Sequence, residues 1–551
     1  MGSFCCKDGH ATDPAQPTSS SEKGAAEPDR AIAFSGGGFL SFAAASGLTV
    51  GLLDALGKNR NEEAPTLDAL LQRFGVVSAV SGGSWYTAEL AYSDRLPALI
   101  NLMVADIGNA GALFNTDWTS RLLNGGKPVP TEPLSFTELR AALLEAVELP
   151  LIGGIPVGEL LELIASLSRR HGDSEGITWG EFAELLLEST AGLSAKTTVG
   201  SAPNSCVHGK LWLVGTSIVT PTGGNGAVSL THHLPSLSDP QMATLAYNIK
   251  SVKTSSVYRV PKFTPAAFSW KFGRDQAEGA PRQFSIIEDV IEYHGSPDFE
   301  AISQPLSDVY SAAISNHAGK LPVGQVVAAS SAFAGQLILN PALQVLTSNQ
   351  KLDLDVWISS ATEGSTFSVA RQVLTATKNG FVIKESVDHV AHHALHTIID
   401  GGFTDGTGIA HSVAAGSNSV VSVQIALDWM NALFEGGGDG NGCGPIFRES
   451  TDSIQVQLRN FTYLDVPTGN SKHLSRIGFG TVSAHTVDNM FWGIKANRLI
   501  KIKIIIVESD AGIGGTSDFY NYGALVGNIA ATMAAECNAP KVKSLLRDFF
   551  L

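Results

Sequence analysis

The sequence has little cysteine and little charge for its length. It has five cysteines in 551 residues: Cys5, Cys6, Cys206, Cys443 and Cys537. The last three are too far apart in the sequence to indicate a disulfide framework or a metal site. We therefore expect a reducing compartment. Charged residues make up 16% of the chain, the net charge is −15, and no long basic run occurs, which argues against nucleic acid as a partner.

The first thirty residues lack the apolar segment of a cleavable signal peptide, and their polar composition predicts a flexible tail over 1–30. Gly2 could accept a myristoyl group and Cys5 and Cys6 palmitoyl groups, although Cys6 stands where serine or threonine is usual. One acyl chain binds membranes weakly and the tail has no basic excess, so the cysteines would supply the second anchor. This predicts a cytoplasmic protein attached peripherally to the cytoplasmic face of a membrane. The alternative is an unmodified tail with two exposed thiols.

The rest of the chain has the composition of a folded α/β protein. A hydrophobic content of 44% and 57 glycines indicate a large core with many loops. We expect one domain over 31–551. Between about 100 and 205, helical patterns alternate with Pro/Gly loops and no strand is evident, which predicts a helical insertion. It could cap a site for apolar substrates or simply pack into the core.

Two strand, glycine-turn and helix units open the domain. Ala31–Phe34 leads into Gly36, Gly37 and Gly38, and Val76–Val80 leads into Ser81 and two further glycines. The stretch 31–53 has no charge and is long enough to cross a bilayer. Its three glycines would break a helix there, so a buried strand, turn and helix is the better interpretation.

These turns carry residues suited to acyl transfer. Ser81 lies in a G-x-S-x-G-like elbow with Ala79 in the first glycine position. Gly36, Gly37 and Gly38 offer backbone N–H groups at a helix N-terminus, which suits an oxyanion. Asp400 follows a short apolar strand and precedes two glycines, so its carboxylate is expected at a strand end, as the candidate base.

In this order, S-G-G-G, S-G-G-S-W and D-G-G resemble the motifs of the patatin-like and cytosolic phospholipase A2 superfamily. The segments AASSAF (328–333) and KFTP (262–265) are weaker likenesses. The resemblance implies a three-layer α/β fold with helices on both faces of the sheet. It also implies a Ser81–Asp400 dyad without a triad histidine, an oxyanion hole at Gly36, Gly37 and Gly38, phospholipid or other acyl-lipid substrates, and no cofactor or metal.

One position departs from that family. Leu40 stands where its cytosolic phospholipases carry an arginine that is thought to meet the lipid phosphate. Headgroup recognition therefore stays open, and the alternatives are a neutral-lipid or lysophospholipid hydrolase and an inactive lipid-binding scaffold. His389, His392, His393 and His396 have helical spacing, so a metal site or a triad histidine is a further alternative to a structural cluster.

Overall fold

The structure is a computed structural model of the chain. It describes residues 27–60, 65–124, 179–194, 196–219, 227–228, 258–259, 263–273, 322–331, 397–435, 445–448, 457, 460–467, 473–489, 492, 494–509 and 519–551.

A ten-stranded sheet forms the centre of the protein. Its strands are β1 (Glu27–Phe34), β2 (Phe74–Val80), β3 (Leu211–Val219), β4 (Phe263–Lys271), β5 (Thr397–Asp400), β6 (Ser419–Gln424), β7 (Phe447–Arg448), β8 (Thr462–Tyr463), β9 (Arg476–Thr486) and β10 (Leu499–Glu508). The main order is β8-β9-β10-β6-β1-β2-β3-β4, with β5 also on β3 and β7 on β9. The strands from β10 to β3 are parallel, and those at both margins are antiparallel.

Helices cover both faces of this sheet. They are α1 (Gly38–Arg60), α2 (Leu67–Leu71), α3 (Gly82–Tyr92), α4 (Arg95–Ala105), α5 (Ala110–Phe114), α6 (Ser120–Asn124), α7 (Trp179–Ala191), α8 (Val323–Ser330), α9 (Gly402–Asp405), α10 (Ile409–Ala414), α11 (Asp428–Glu435), α12 (Asn521–Ala534) and α13 (Ala539–Leu545). Alternate β1 side chains enter different cores: Ile32 packs with α1, α3 and α12, and Ala33 packs with α10 and α11. The predicted α/β class with helices on both faces of the sheet is confirmed.

The uncharged stretch near the start of the domain forms a strand, a turn and a helix, as predicted. Strand β1 begins at Glu27, inside the stretch predicted as tail, because its backbone pairs with both β2 and β6. Helix α1 is long and apolar enough to cross a membrane by length and composition, but 83% of its most apolar stretch is buried inside the protein. Burial on all sides, at the centre of the fold, accounts for its apolar character.

The described part of the predicted insertion is helical over most of its length, with loops between Ala191 and Ser205. Helices α4 to α7 contribute Met103, Phe114, Leu122 and Leu186 to the same core cluster as α1. Residues 125–178 lie outside the described residues, so the cap remains a prediction. Gly2, Cys5 and Cys6 and the histidines at 389–396 also lie outside them, and lipid attachment is still a prediction.

Candidate active site

Ser81 occupies a sharp turn between β2 and α3. Its backbone has φ 50° and ψ −118°, a positive φ that is uncommon for a residue with a side chain. The turn also needs Gly82 and Gly83. A methyl group at Gly82 would lie 2.0 Å from the carbonyl oxygen of Gly38, and one at Gly83 would lie 2.4 Å from that of Phe34. The A-x-S-x-G pattern therefore forms a tight elbow packed against the first glycine turn.

Strand pairing brings Asp400 to this elbow. Val80, the last residue of β2, pairs with Gly215 of β3, and Asp400, the last residue of β5, pairs with Thr216. Because β4 occupies the other edge of β3 along its whole length, β2 and β5 share one edge and meet end to end. The sequence predicted a strand end here but not its direction. Strand β5 runs antiparallel to β3 and approaches the serine from the opposite side of the site.

The two side chains form a direct hydrogen bond. The Ser81 hydroxyl donates to Oδ2 of Asp400 over 2.7 Å, and the N–H of Gly402 donates to Oδ1 over 2.7 Å. Both residues are buried: 6% of the surface of Asp400 and 7% of that of Ser81 are exposed. Burial raises the pKa of Asp400 to about 6, against the lowering effect of the two hydrogen bonds. A carboxyl group with this pKa can exchange a proton near neutral pH.

The first glycine turn borders the serine. A methyl group at Gly36 would lie 3.2 Å from Cβ of Ser81. However, the N–H of Gly36 donates to the carbonyl of Gly406 over 2.9 Å, so in this structure it already has an acceptor. Among the described residues, the N–H groups of Gly37 and Gly38 have no acceptor, and they lie at the N-terminus of the 23-residue α1.

Apolar side chains lie against the outside of this turn. A methyl group at Gly37 would lie 2.0 Å from Cδ1 of Ile425 and 3.6 Å from Cη2 of Trp429. The same indole ring would be 2.9 Å from a methyl group at Gly406. Ile425, Trp429 and Leu40 are half-buried, so part of each apolar surface is accessible. The sequence alone did not single out Ile425 or Trp429, because only the fold brings 425–429 to the turn.

Ser330, which the sequence did not predict as a site residue, also bonds to the elbow. The Ser330 hydroxyl, at the end of α8, accepts a hydrogen bond from the N–H of Ser81 over 2.9 Å. The AASSAF segment was noted only as a likeness, and nothing in its local pattern tells which of its serines faces the elbow. Ser330 faces the elbow because α8 packs beside β3 and β5.

No histidine within the described ranges bonds to Ser81; its hydroxyl is paired with Asp400. His411 is buried beside β3, where burial lowers its pKa to about 4, and it packs edge-on against Trp492. In the part of the chain that the structure describes, no group of three or more His, Cys, Asp or Glu side chains is placed to hold a metal ion. Both alternatives drawn from 389–396 remain outside these residues.

Comparison with models of known families finds no match, and comparison with curated protein sequences finds none either. Among solved structures, human GIVD cytosolic phospholipase A2 is similar to this chain, with 10% sequence identity and a TM-score of 0.33. The similarity covers 95% of this chain and 63% of that chain. So distant a similarity carries no argument about the reaction.

Proposed function

We propose that the protein is a serine acyl hydrolase that cleaves acyl esters of lipids. The observation that carries the proposal is the 2.7 Å hydrogen bond from Ser81 to Asp400 at an elbow with positive φ. Strained backbone persists only where the surrounding structure enforces it, and it is concentrated at functional sites. A serine is activated as a nucleophile by an adjacent group that can take its proton, and Asp400 is bonded to Ser81 in such a position.

The proposed reaction has two steps. Oγ of Ser81 attacks the carbonyl carbon of the ester while its proton passes to Asp400, and the alcohol leaves with that proton as the acyl-serine forms. A water molecule then attacks the acyl-serine, giving a proton to Asp400, which returns it to Oγ of Ser81 as the fatty acid is released. The N–H groups of Gly37 and Gly38 are the proposed donors to the oxyanion in both steps.

The lipid part of the proposal rests on the apolar border of the site. Ile425 and Trp429 lie against the glycine turn, and Leu40 follows it in α1. These side chains suit an acyl chain better than a charged group. The headgroup is left to experiment, and membrane attachment through Gly2, Cys5 and Cys6 is a separate proposal that rests on the sequence alone.

The direct test is reaction of the folded wild-type protein with a fluorophosphonate probe, followed by mass mapping of the adduct. We expect a single adduct on Ser81, because only a serine with a bonded base is activated toward phosphorus. Hydrolysis is then measured on diacyl phospholipid, lysophospholipid and triacylglycerol. Absence of both the adduct and hydrolysis would contradict the proposed hydrolase activity and favour a lipid-binding scaffold of the same fold.

Replacing Trp429 by alanine tests the apolar border. We expect KM for a long-chain p-nitrophenyl ester to rise about tenfold while that for the acetate ester changes little, because only a long chain reaches the indole. Phe434→Ala is the matched control: Phe434 lies on the same helix but packs on Phe447 of β7, with ring centroids 5.3 Å apart. An equal change in KM for both esters, or the same chain-length effect in both variants, would contradict this placement.

A further inference from the structure

Ser330 is a fully buried serine that takes no part in the proposed chemistry, and it bonds to Ser81 and to Gly401, the residue that follows Asp400. Its hydroxyl accepts a hydrogen bond from the N–H of Ser81 over 2.9 Å and donates to the carbonyl of Gly215 over 2.7 Å. Its own carbonyl accepts from the N–H of Gly401 over 3.2 Å. One residue thus links the elbow, the central strand β3 and the segment that carries Asp400.

These bonds lie at the point where two strands meet. Strand β2 ends opposite Gly215, and β5 ends opposite Thr216, so no backbone pairing joins the two strand ends to each other. The Ser330 hydroxyl joins the elbow after β2 to β3, and the Ser330 carbonyl accepts the N–H of Gly401, directly after β5. Because the hydroxyl both accepts and donates, it satisfies a buried N–H and a buried carbonyl at once.

The backbone of Ser81 explains why such a bridge matters. A residue with a side chain and φ 50° tends to relax towards negative φ unless neighbouring groups hold it. The hydrogen bond from its N–H fixes the orientation of the peptide before Ser81, and with it the direction of Oγ. Loss of the hydroxyl would remove the acceptor of the buried Ser81 N–H and one donor to the Gly215 carbonyl, which favours rearrangement of the turn.

We propose that Ser330 is a positioning residue that holds Ser81 and Asp400 in register for proton transfer. The inference rests on the proposed function, since the register matters only if the pair reacts. Ser330 touches neither substrate nor reacting atoms in this scheme. Its contribution therefore falls on the chemical step, and substrate binding is left unchanged.

Ser330→Ala tests this. We expect kcat to fall about 10- to 100-fold with KM within twofold of wild type, because displacement of a catalytic group by about 1 Å costs on the order of 100-fold. The rate of fluorophosphonate labelling of Ser81 is expected to fall in parallel. Ser331→Ala is the matched control: its hydroxyl is also buried but donates to Val327 within α8, over 2.7 Å, and the variant should keep the wild-type kcat.

Ser330→Cys provides a second variant should the alanine protein fail to fold. A thiol fills nearly the same space but is a weak donor and acceptor, so kcat should fall while the protein remains folded by circular dichroism. A wild-type kcat in either folded Ser330 variant would overturn the positioning role, as would an equal loss in Ser331→Ala. Failure of the proposed function looks different: the wild-type protein itself would then neither turn over esters nor label at Ser81.

Discussion

Replacing Ser81 by alanine is expected to reduce ester hydrolysis by at least about 10⁴-fold and to abolish fluorophosphonate labelling, because no acyl-enzyme can form without Oγ. The hydrogen bond to Asp400 is lost with it. Lipid binding should survive, since the apolar side chains beside the glycine turn are untouched. The measurement is kcat/KM on the preferred ester, together with binding of a non-hydrolysable ether analogue.

Ser84→Ala is the matched control for this substitution. Ser84 lies in the same elbow, and its hydroxyl donates to the carbonyl of Ser81 over 2.6 Å. Its removal costs one buried hydrogen bond, about 1 kcal/mol of unfolding free energy, without removing a nucleophile. We expect a lower melting temperature and activity within tenfold of wild type. Activity of Ser81→Ala above about 1% of wild type would contradict the assignment of the nucleophile.

The strand and glycine-turn units could be predicted because their causes are local. An apolar run before glycines ends as a strand, since only glycine tolerates the close approach found at Gly82 and the φ of 112° found at Gly37. The structure extends β1 upstream to Glu27, where pairing with neighbouring strands decides the boundary. Local sequence carries no information about that pairing.

Features that depend on long-range register could not be predicted. The meeting of β2 and β5 on one edge of β3 depends on strands more than a hundred residues apart, and the same holds for the choice of Ser330. The pairing of the Gly36 N–H is another such case, because its acceptor Gly406 lies 370 residues away in the chain. The position of Asp400 at the end of a strand could be predicted, because an apolar run followed by an acidic residue and two glycines is a local signal.

Burial of Asp400 lowers the stability of the folded protein near neutral pH. Ionised Asp400 is held in a buried position with two hydrogen bonds, and its pKa is raised to about 6, above the ordinary value of 3.8. The folded protein therefore binds this proton more tightly than the unfolded chain does. The stability that it contributes is present below pH 3.8 and is lost as the pH rises through about 6. A base suited to catalysis near neutral pH is thus a source of instability there.

Asp400→Asn is expected to lower kcat by about 10²- to 10⁴-fold, because an amide cannot take the Ser81 proton. Its single oxygen can still accept the N–H of Gly402, and its NH2 group can donate to Oγ of Ser81. At pH 8 its melting temperature should equal or exceed that of wild type, since a buried charge is removed. Asp405→Asn is the matched control. That buried carboxylate accepts the N–H groups of Thr407 and Ala410, each over 2.8 Å, so its loss should lower stability much more than activity per folded molecule.

The same carboxylate is expected to set the pH dependence of the reaction. Protonated Asp400 cannot accept the serine proton, so kcat/KM of the wild type should rise with pH through about 6, about tenfold per pH unit below it, and level off above. Fluorophosphonate labelling of Ser81 should follow the same curve, because it needs the same base. The residual activity of Asp400→Asn should lose this inflection. A wild-type profile that is flat between pH 4 and pH 8, or an inflection that persists in Asp400→Asn, would show that another group acts as the base.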